Sequence, residues 1–207
     1  MSGGAGARLM VRAVPVWKAW PGSPAAPAAQ PRWEGALLVM CISHPAGATR
    51  AVARTRIRAA LCAALAQSLG LDPGQVTLAA APGTAPRVLI DGAPCAIGVS
   101  LSHAGKLSIA ALNQDGAVGV DLMDVAALPH DWHQVACDYL GISVADQLAT
   151  VAPIARSLAF AQAWAEREAH LKLLGLPLAE WTPLPGACRW QALALPPGFA
   201  GALATGR

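Results

Sequence analysis

The run from Pro153 to Leu174 constrains this chain most. It consists largely of strong helix formers, with neither Gly nor Pro after its first residue, and Gly175 and Pro177 close it. The pattern predicts helix from Asp146 to Leu174, with breaks. Side chains four apart share a helix face, which puts Trp164, Glu168 and Lys172 in one stripe. A carboxylate one turn from an ammonium, beside an indole, is either an ordinary helix ion pair or part of a catalytic site. Such pairs are common on helices, so the rest of the chain has to decide.

Apolar residues make up 55% of the 207 positions and charged ones only 13%, enough for a sizeable core in one large or two small domains. Acidic residues number only 12, so each carboxylate inside an apolar segment needs a reason, because an unpaired buried one is costly. A net charge of +3 without any Lys/Arg block argues against nucleic acid and suits a small anionic ligand. The five cysteines are scattered, without Cys-x-x-Cys spacing, and read as small core residues in a reducing compartment. Leu9 to Trp17 is broken by Arg12 and Pro15 and lacks the apolar core of a signal peptide; no run reaches membrane-helix length. A soluble, cytoplasmic protein is the expectation.

In chain order, Met1 to Ala7 reads as a loose end, Leu9 to Trp17 as a strand and Pro21 to Pro31 as a Pro/Ala-rich loop. Ala36 to Ile42 reads as a buried strand. A helix is predicted from Thr49 to Leu69, ended by Gly70 and Pro73. Its arginines 50, 54 and 58 repeat every four residues along one edge, a pattern that by itself is a solvated face, while Leu61, Leu65 and Leu69 face the core. Strands follow at Val76 to Leu78 and Arg87 to Ile90, separated by the loop from Pro82 to Pro86. Ile97 to Leu112 reads as strand, tight Ser102-His-Ala-Gly105 turn, and strand. Asn113 to Gly116 is a turn before the strand Ala117 to Met123, which contains Asp121. A helix is expected over Trp132 to Tyr139, with closing strands at Cys188 to Leu195 and Phe199 to Thr205. Alone, His103 reads as a turn histidine and Trp164 as packing. His44, His130, His133 and His170 have no spacing or partner that lifts them above surface or core roles.

Three motifs recur in a fixed order: Ser102-His-Ala-Gly105, Val118-Gly-Val-Asp121 and Trp164-x-x-Arg167-Glu168-x-x-x-Lys172. Together they resemble the 4′-phosphopantetheinyl transferases of the Sfp type. The resemblance spans about Arg50 to Thr205 and includes Leu69-Gly-Leu-Asp72 and Pro196-Pro-Gly-Phe199. It implies an α+β fold of two similar halves, 1–115 and 116–207, related by a pseudo-twofold. It also implies Mg²⁺-dependent transfer of 4′-phosphopantetheine from coenzyme A to a serine of an acyl or peptidyl carrier protein, releasing 3′,5′-ADP. On the same resemblance Asp121 and Glu168 hold Mg²⁺, Glu168 is the base and Lys172 assists phosphoryl transfer. Arg54, Arg87, Ser102, His103 and Arg167 bind the coenzyme, with Lys106 a neighbour. A monomer serving fatty acid, polyketide or nonribosomal peptide biosynthesis is implied, and Ala/Gly/Arg usage fits a GC-rich bacterial source.

Three positions depart from the family pattern. Met123 stands where a second carboxylate is expected, and a soft thioether is no ligand for hard Mg²⁺; Asp124 is adjacent but faces the other way in a regular strand. Ala85 replaces a lysine, with Arg87 nearby to compensate. Arg167 replaces a second lysine, which retains charge in a different shape. Two alternatives therefore stand beside the transferase: a relative that binds coenzyme A or a carrier protein without efficient turnover, and a metal-dependent phosphoester hydrolase.

Overall fold

The structure, a computed structural model, describes residues 35–80 and 84–206 and the backbone of 17–19. The expected loose end and Pro/Ala loop, most of the first strand, and Pro82 and Gly83 lie outside the described residues. The elements in order are β1 (Trp17–Ala19), β2 (Leu37–Ser43), α1 (Arg50–Leu69), a 3₁₀ turn (Pro73–Gln75), β3 (Val76–Ala79), β4 (Arg87–Ile90) and β5 (Ala93–Pro94). There follow β6 (Gly98–Ala104), β7 (Leu107–Asn113), β8 (Val118–Asp124), α2 (Trp132–Leu140), α3 (Ile142–Thr150), α4 (Pro153–Leu174), β9 (Cys188–Ala192) and β10 (Phe199–Gly206).

These form a mixed α+β structure with three small sheets, ordered β1-β2-β7-β6, β8-β10-β9 and β3-β4-β5. All pairings are antiparallel except β1 with β2. The period-2 alternation of strands sorts the core into layers. On β2 and β7, Leu38, Met40, Ile42, Ala110 and Leu112 pack against Ile57, Leu61 and Leu65 of α1. Their opposite faces, Val39, Cys41, Leu107, Ile109 and Ala111, meet Val118, Val120, Leu122 and Leu203 of the second sheet. The first sheet is thus covered on both sides, which is why β2 and β7 read as unbroken apolar runs. Leu69 departs from its expected place: it is exposed, because the helix ends at left-handed Gly70 immediately after it.

α4 covers the far side of the second sheet through small residues. Ala165 and Ala169 meet Ala202 and Ala204 of β10, and alanine on alanine lets helix and strand lie close. At Gly119 the approach is closer still, since a Cβ built there would lie 1.8 Å from the Ala169 carbonyl oxygen. The alternate residues of β8 thereby divide: Val118, Val120 and Leu122 face the first sheet, while Gly119 and Asp121 contact α4.

Side-chain hydroxyls stitch the two large sheets together. The Val120 N–H donates to Ser100 Oγ at 3.0 Å and the Leu122 N–H to Ser102 Oγ at 3.2 Å. Two serines of β6, two residues apart, receive the N–H groups that β8 does not direct at β10. Buried donors on that strand edge are satisfied without a backbone ladder. The expected turn also moves. Ser102, His103 and Ala104 belong to β6 and the chain reverses at Gly105-Lys106 (Gly105 φ 47°), so Ser102 and His103 are held by a sheet instead of a turn. Among the described residues no helix is long and apolar enough to cross a membrane.

Candidate active site

A cleft of about 720 Å³ opens where α1, β6, β8 and α4 converge. Its lining includes Arg50, Arg54 and Arg58 from α1, Ser102 and His103 from β6, Asp121 and Met123 from β8, and Trp164, Glu168 and Lys172 from α4. Each contribution has a local cause. The four-residue repeats on α1 and α4 put one stripe of each helix on the cleft wall. The alanine seam and Gly119 set α4 close enough to β8 for its lysine to reach the strand.

Asp121 is the centre of the polar network. Its Oδ1 accepts from Lys172 Nζ at 2.6 Å and from Ser102 Oγ at 2.7 Å. Lys172 Nζ also donates to the Val120 carbonyl at 3.2 Å. The aspartate is buried and the lysine side chain is 30% exposed, so the pair is shielded on the strand side and open towards the cleft. Burial so deep is tolerable only because both partners are charged and the hydroxyl adds a further bond.

Glu168 lies one helical turn before Lys172. Burial raises its carboxyl above the ordinary glutamate value, and the charge of Asp121 adds to the rise; Lys172 and a hydrogen bond with Trp164 act in the opposite direction. The indole stacks on Phe160 (centroids 5.8 Å apart) and leans on Tyr139 (5.6 Å), which anchors it as a fixed wall behind the carboxylate. Trp164 therefore packs the helix and also holds the acid.

The sign of the Glu168 shift leads to a stability prediction. A carboxyl whose folded pKa is raised binds its proton more readily when folded, so its ionised form costs stability. That cost is absent below the ordinary glutamate pKa and present in full above the raised one. In divalent-free buffer, Glu168→Gln should melt higher than wild type at pH 8, and the gap should close towards pH 4. A lower melting temperature for the variant at pH 8 would contradict this account of the site.

Burial, with Arg54, Arg50, His44 and Lys172 adding, holds the His103 imidazole down to about 4, so it is neutral at physiological pH. His103 Nδ1 is bonded to Ser108 Oγ at 2.6 Å. His44 Nε2 meets the same hydroxyl at 2.5 Å.

The two carboxylates suit a hard divalent cation. They come from different elements and line one cleft, the charge of Asp121 adds to the cost of ionising Glu168, and Mg²⁺ takes one or two carboxylates with phosphate and water oxygens completing its shell. Among the described residues no group of three or more His, Cys, Asp or Glu gathers as a ready-made metal cage. Met123 supplies no oxygen. Asp124 is exposed at the end of β8, in regular register opposite Phe199, with its carboxylate beside Gly105, so no bulge turns it inward.

Seven of the expected site residues reach or border the cleft, and one does not. Asp121, Glu168, Lys172, Arg54, Ser102 and His103 line it, and Arg87 lines a neighbouring depression that shares Ala80 and Thr84 with it. Arg167 points elsewhere. One residue before Glu168 is a 100° step around the helix, and its guanidinium donates to the Thr182 carbonyl at 3.1 Å beside a separate cavity with His170 and Trp190. The expectation that it binds the coenzyme is not supported by its position. Lys106 lines the pocket on the His44 side. Arg50 and Arg58, read from sequence as a solvated edge, line the cleft with Arg54; the i,i+4 repeat was the signal for all three.

No protein-family model matches the chain, and no curated protein matches it significantly. The functional reading therefore rests on the motifs and on this cleft.

Proposed function

We propose that this chain is a 4′-phosphopantetheinyl transferase of the Sfp type, which moves 4′-phosphopantetheine from coenzyme A to a carrier-protein serine. The observation that carries the reading is the convergence of Asp121, Glu168 and Lys172 with His103 and the arginines of α1 on one cleft. Four cationic side chains face two carboxylates there, so the cleft favours a polyanion. Coenzyme A, with a pyrophosphate and a 3′-phosphate, is such a ligand, and the volume lies in the ordinary range of about 300–1,000 Å³ for small-molecule sites. The halves 1–115 and 116–207, each with a long helix on a sheet, would be related by a pseudo-twofold in this reading. A cytoplasmic, monomeric bacterial enzyme is part of the same proposal.

The carrier serine hydroxyl attacks the phosphorus that bears pantetheine. A P–O bond forms to the serine and the P–O bond to the adenosine-side phosphate breaks, leaving 3′,5′-ADP. Glu168 takes the hydroxyl proton, and its raised pKa makes it a stronger base than an exposed carboxylate. Lys172 offsets charge on the departing phosphate with its ammonium. The arginines of α1 and His103 grip the nucleotide phosphates, so that reaction depends on positioning more than on covalent chemistry. Asp121 and Glu168 would hold Mg²⁺, which when bound supplies charge neutralisation for the phosphoryl oxygens.

A coenzyme A binder without efficient turnover is the second reading, favoured by Met123 on the cleft wall where a third oxygen donor would serve. Incubation of the full chain with coenzyme A, Mg²⁺ and a panel of apo-carrier proteins separates the two by intact mass. A phosphopantetheine-sized gain on a carrier is expected. Coenzyme A binding with no gain on any carrier would sink the transferase in favour of the binder.

A further inference from the structure

We propose that Ser108 and His44 are positioning residues that lock His103 in its Nε2–H tautomer, so that a neutral imidazole presents an N–H to the anion held in the cleft. The inference rests on the reading of the cleft as a phosphate site. Its basis is a chain of three side chains: His44 Nε2 and Ser108 Oγ at 2.5 Å, then Ser108 Oγ and His103 Nδ1 at 2.6 Å. Ser108 is fully buried on β7, directly opposite His103 of β6 in the sheet register, and His44 follows the end of β2 on the other side of β7. One strand thus places one hydroxyl between two imidazoles.

A hydroxyl has one proton to donate. If Ser108 donates to His44, then His103 has to donate from Nδ1 and its Nε2 shows the cleft a lone pair. If Ser108 donates to His103, then His44 donates to Ser108 and His103 carries its own proton on Nε2. The two arrangements differ at the far end of the chain. His44 Nδ1 is buried and has no hydrogen-bond partner among the described residues. In the first arrangement that atom is a stranded N–H. In the second it is only a lone pair, and stranded buried N–H groups are the rarer and less tolerated of the two.

The unpartnered nitrogen of His44 therefore sets the direction of the whole chain. His44 Nε2–H donates to Ser108, Ser108 donates to His103 Nδ1, and His103 Nε2–H is left for a ligand. An imidazole held neutral among arginines would otherwise be as ready to repel a phosphate oxygen with its lone pair as to bind it. The buried pair behind it removes that ambiguity, and His44 and Ser108 touch no ligand themselves.

The test is a long-range ¹H–¹⁵N correlation on the full-length ¹⁵N-labelled chain without ligand near neutral pH, with His103→Asn to assign the peaks. Protonated Nε2 and bare Nδ1 are expected for His103. A Nδ1–H tautomer or an imidazolium there would overturn the proposal. Ser108→Ala should mix the His103 tautomers and weaken binding of adenosine 3′,5′-bisphosphate by about five- to tenfold, the scale of one hydrogen bond. His44→Gln, whose amide can still donate to Ser108, should keep the wild-type His103 tautomer, and loss of the Nε2 proton in that variant would also overturn the proposal, which stays testable if Ser108→Ala folds poorly. An unchanged tautomer in Ser108→Ala would also overturn it. The tautomer needs no ligand to be read. The expected tautomers without any bisphosphate binding would sink the coenzyme A reading and leave the histidine assignment standing.

Discussion

Glu168→Gln is expected to lower phosphopantetheine transfer by about 10²–10⁴-fold, the range a positioned general base contributes. Glutamine keeps the length of the side chain, and its carbonyl can still accept from the Trp164 indole, so the α4 wall of the cleft stays in place. What it removes is the charge, and with it the proton acceptor and one of the two carboxylates available to Mg²⁺. Coenzyme A affinity should change far less, because the arginines of α1 and His103 remain. The measurement is carrier mass against time at saturating coenzyme A, beside a separate titration of coenzyme A binding. Transfer within threefold of wild type would remove Glu168 from the chemistry. Loss of binding in parallel with transfer would instead mean that its charge organises the cleft as a whole. The higher melting temperature expected of the same variant separates lost turnover from unfolding, since a residue that costs stability and whose loss stops turnover is placed for chemistry.

Much of this site was legible because helices and strands have fixed periods. Trp164, Glu168 and Lys172 share the cleft wall because they lie four apart, and the same spacing brings Arg50, Arg54 and Arg58 there. Asp121 stood out as a charge in an apolar strand that needed a reason, and the reason is its ion pair with Lys172. Arg167 was misplaced for a reason periodicity itself supplies: membership of a motif says nothing about which side of the helix a residue faces, and a one-residue step carries it to another cavity.

The parts that were not legible depend on groups that meet only in three dimensions. Ser100 and Ser102 look like ordinary strand serines, yet they close the gap between two sheets whose neighbouring edges have no backbone ladder. His44 and Ser108 are 64 residues apart and carry no spacing signal, so the imidazole relay was invisible. The reversal at Gly105-Lys106 was misread two residues early because Ser and Gly favour turns wherever they occur, and the sheet register overrode that preference.

Gly119→Ala is expected to destabilise the fold by about 3 kcal/mol, at the upper end of ordinary overpacking. The methyl would lie 1.8 Å from the Ala169 carbonyl oxygen and 2.6 Å from the Leu173 backbone nitrogen. Both neighbours are helix backbone, which has no rotamer to move out of the way, so the whole of α4 has to shift from β8. For a chain of this size such a loss corresponds to a drop in Tm of roughly 6–12 °C. The functional loss should exceed what the fraction unfolded explains. Displacing α4 lengthens the 2.6 Å bond between Lys172 and Asp121 and draws Glu168 away from the same aspartate, and reactions that rely on positioning are sensitive to ångström-scale displacement. Melting curves, with carrier transfer measured well below the variant's Tm, decide the matter. A variant that melts as wild type does would mean that helix and strand are farther apart in solution, whereas low stability with full activity would show that the Asp121–Lys172 contact is dispensable for turnover. Gly119 lies two residues before Asp121 on the same face of β8, so one strand provides both the room for α4 and the carboxylate that the Lys172 of that helix meets.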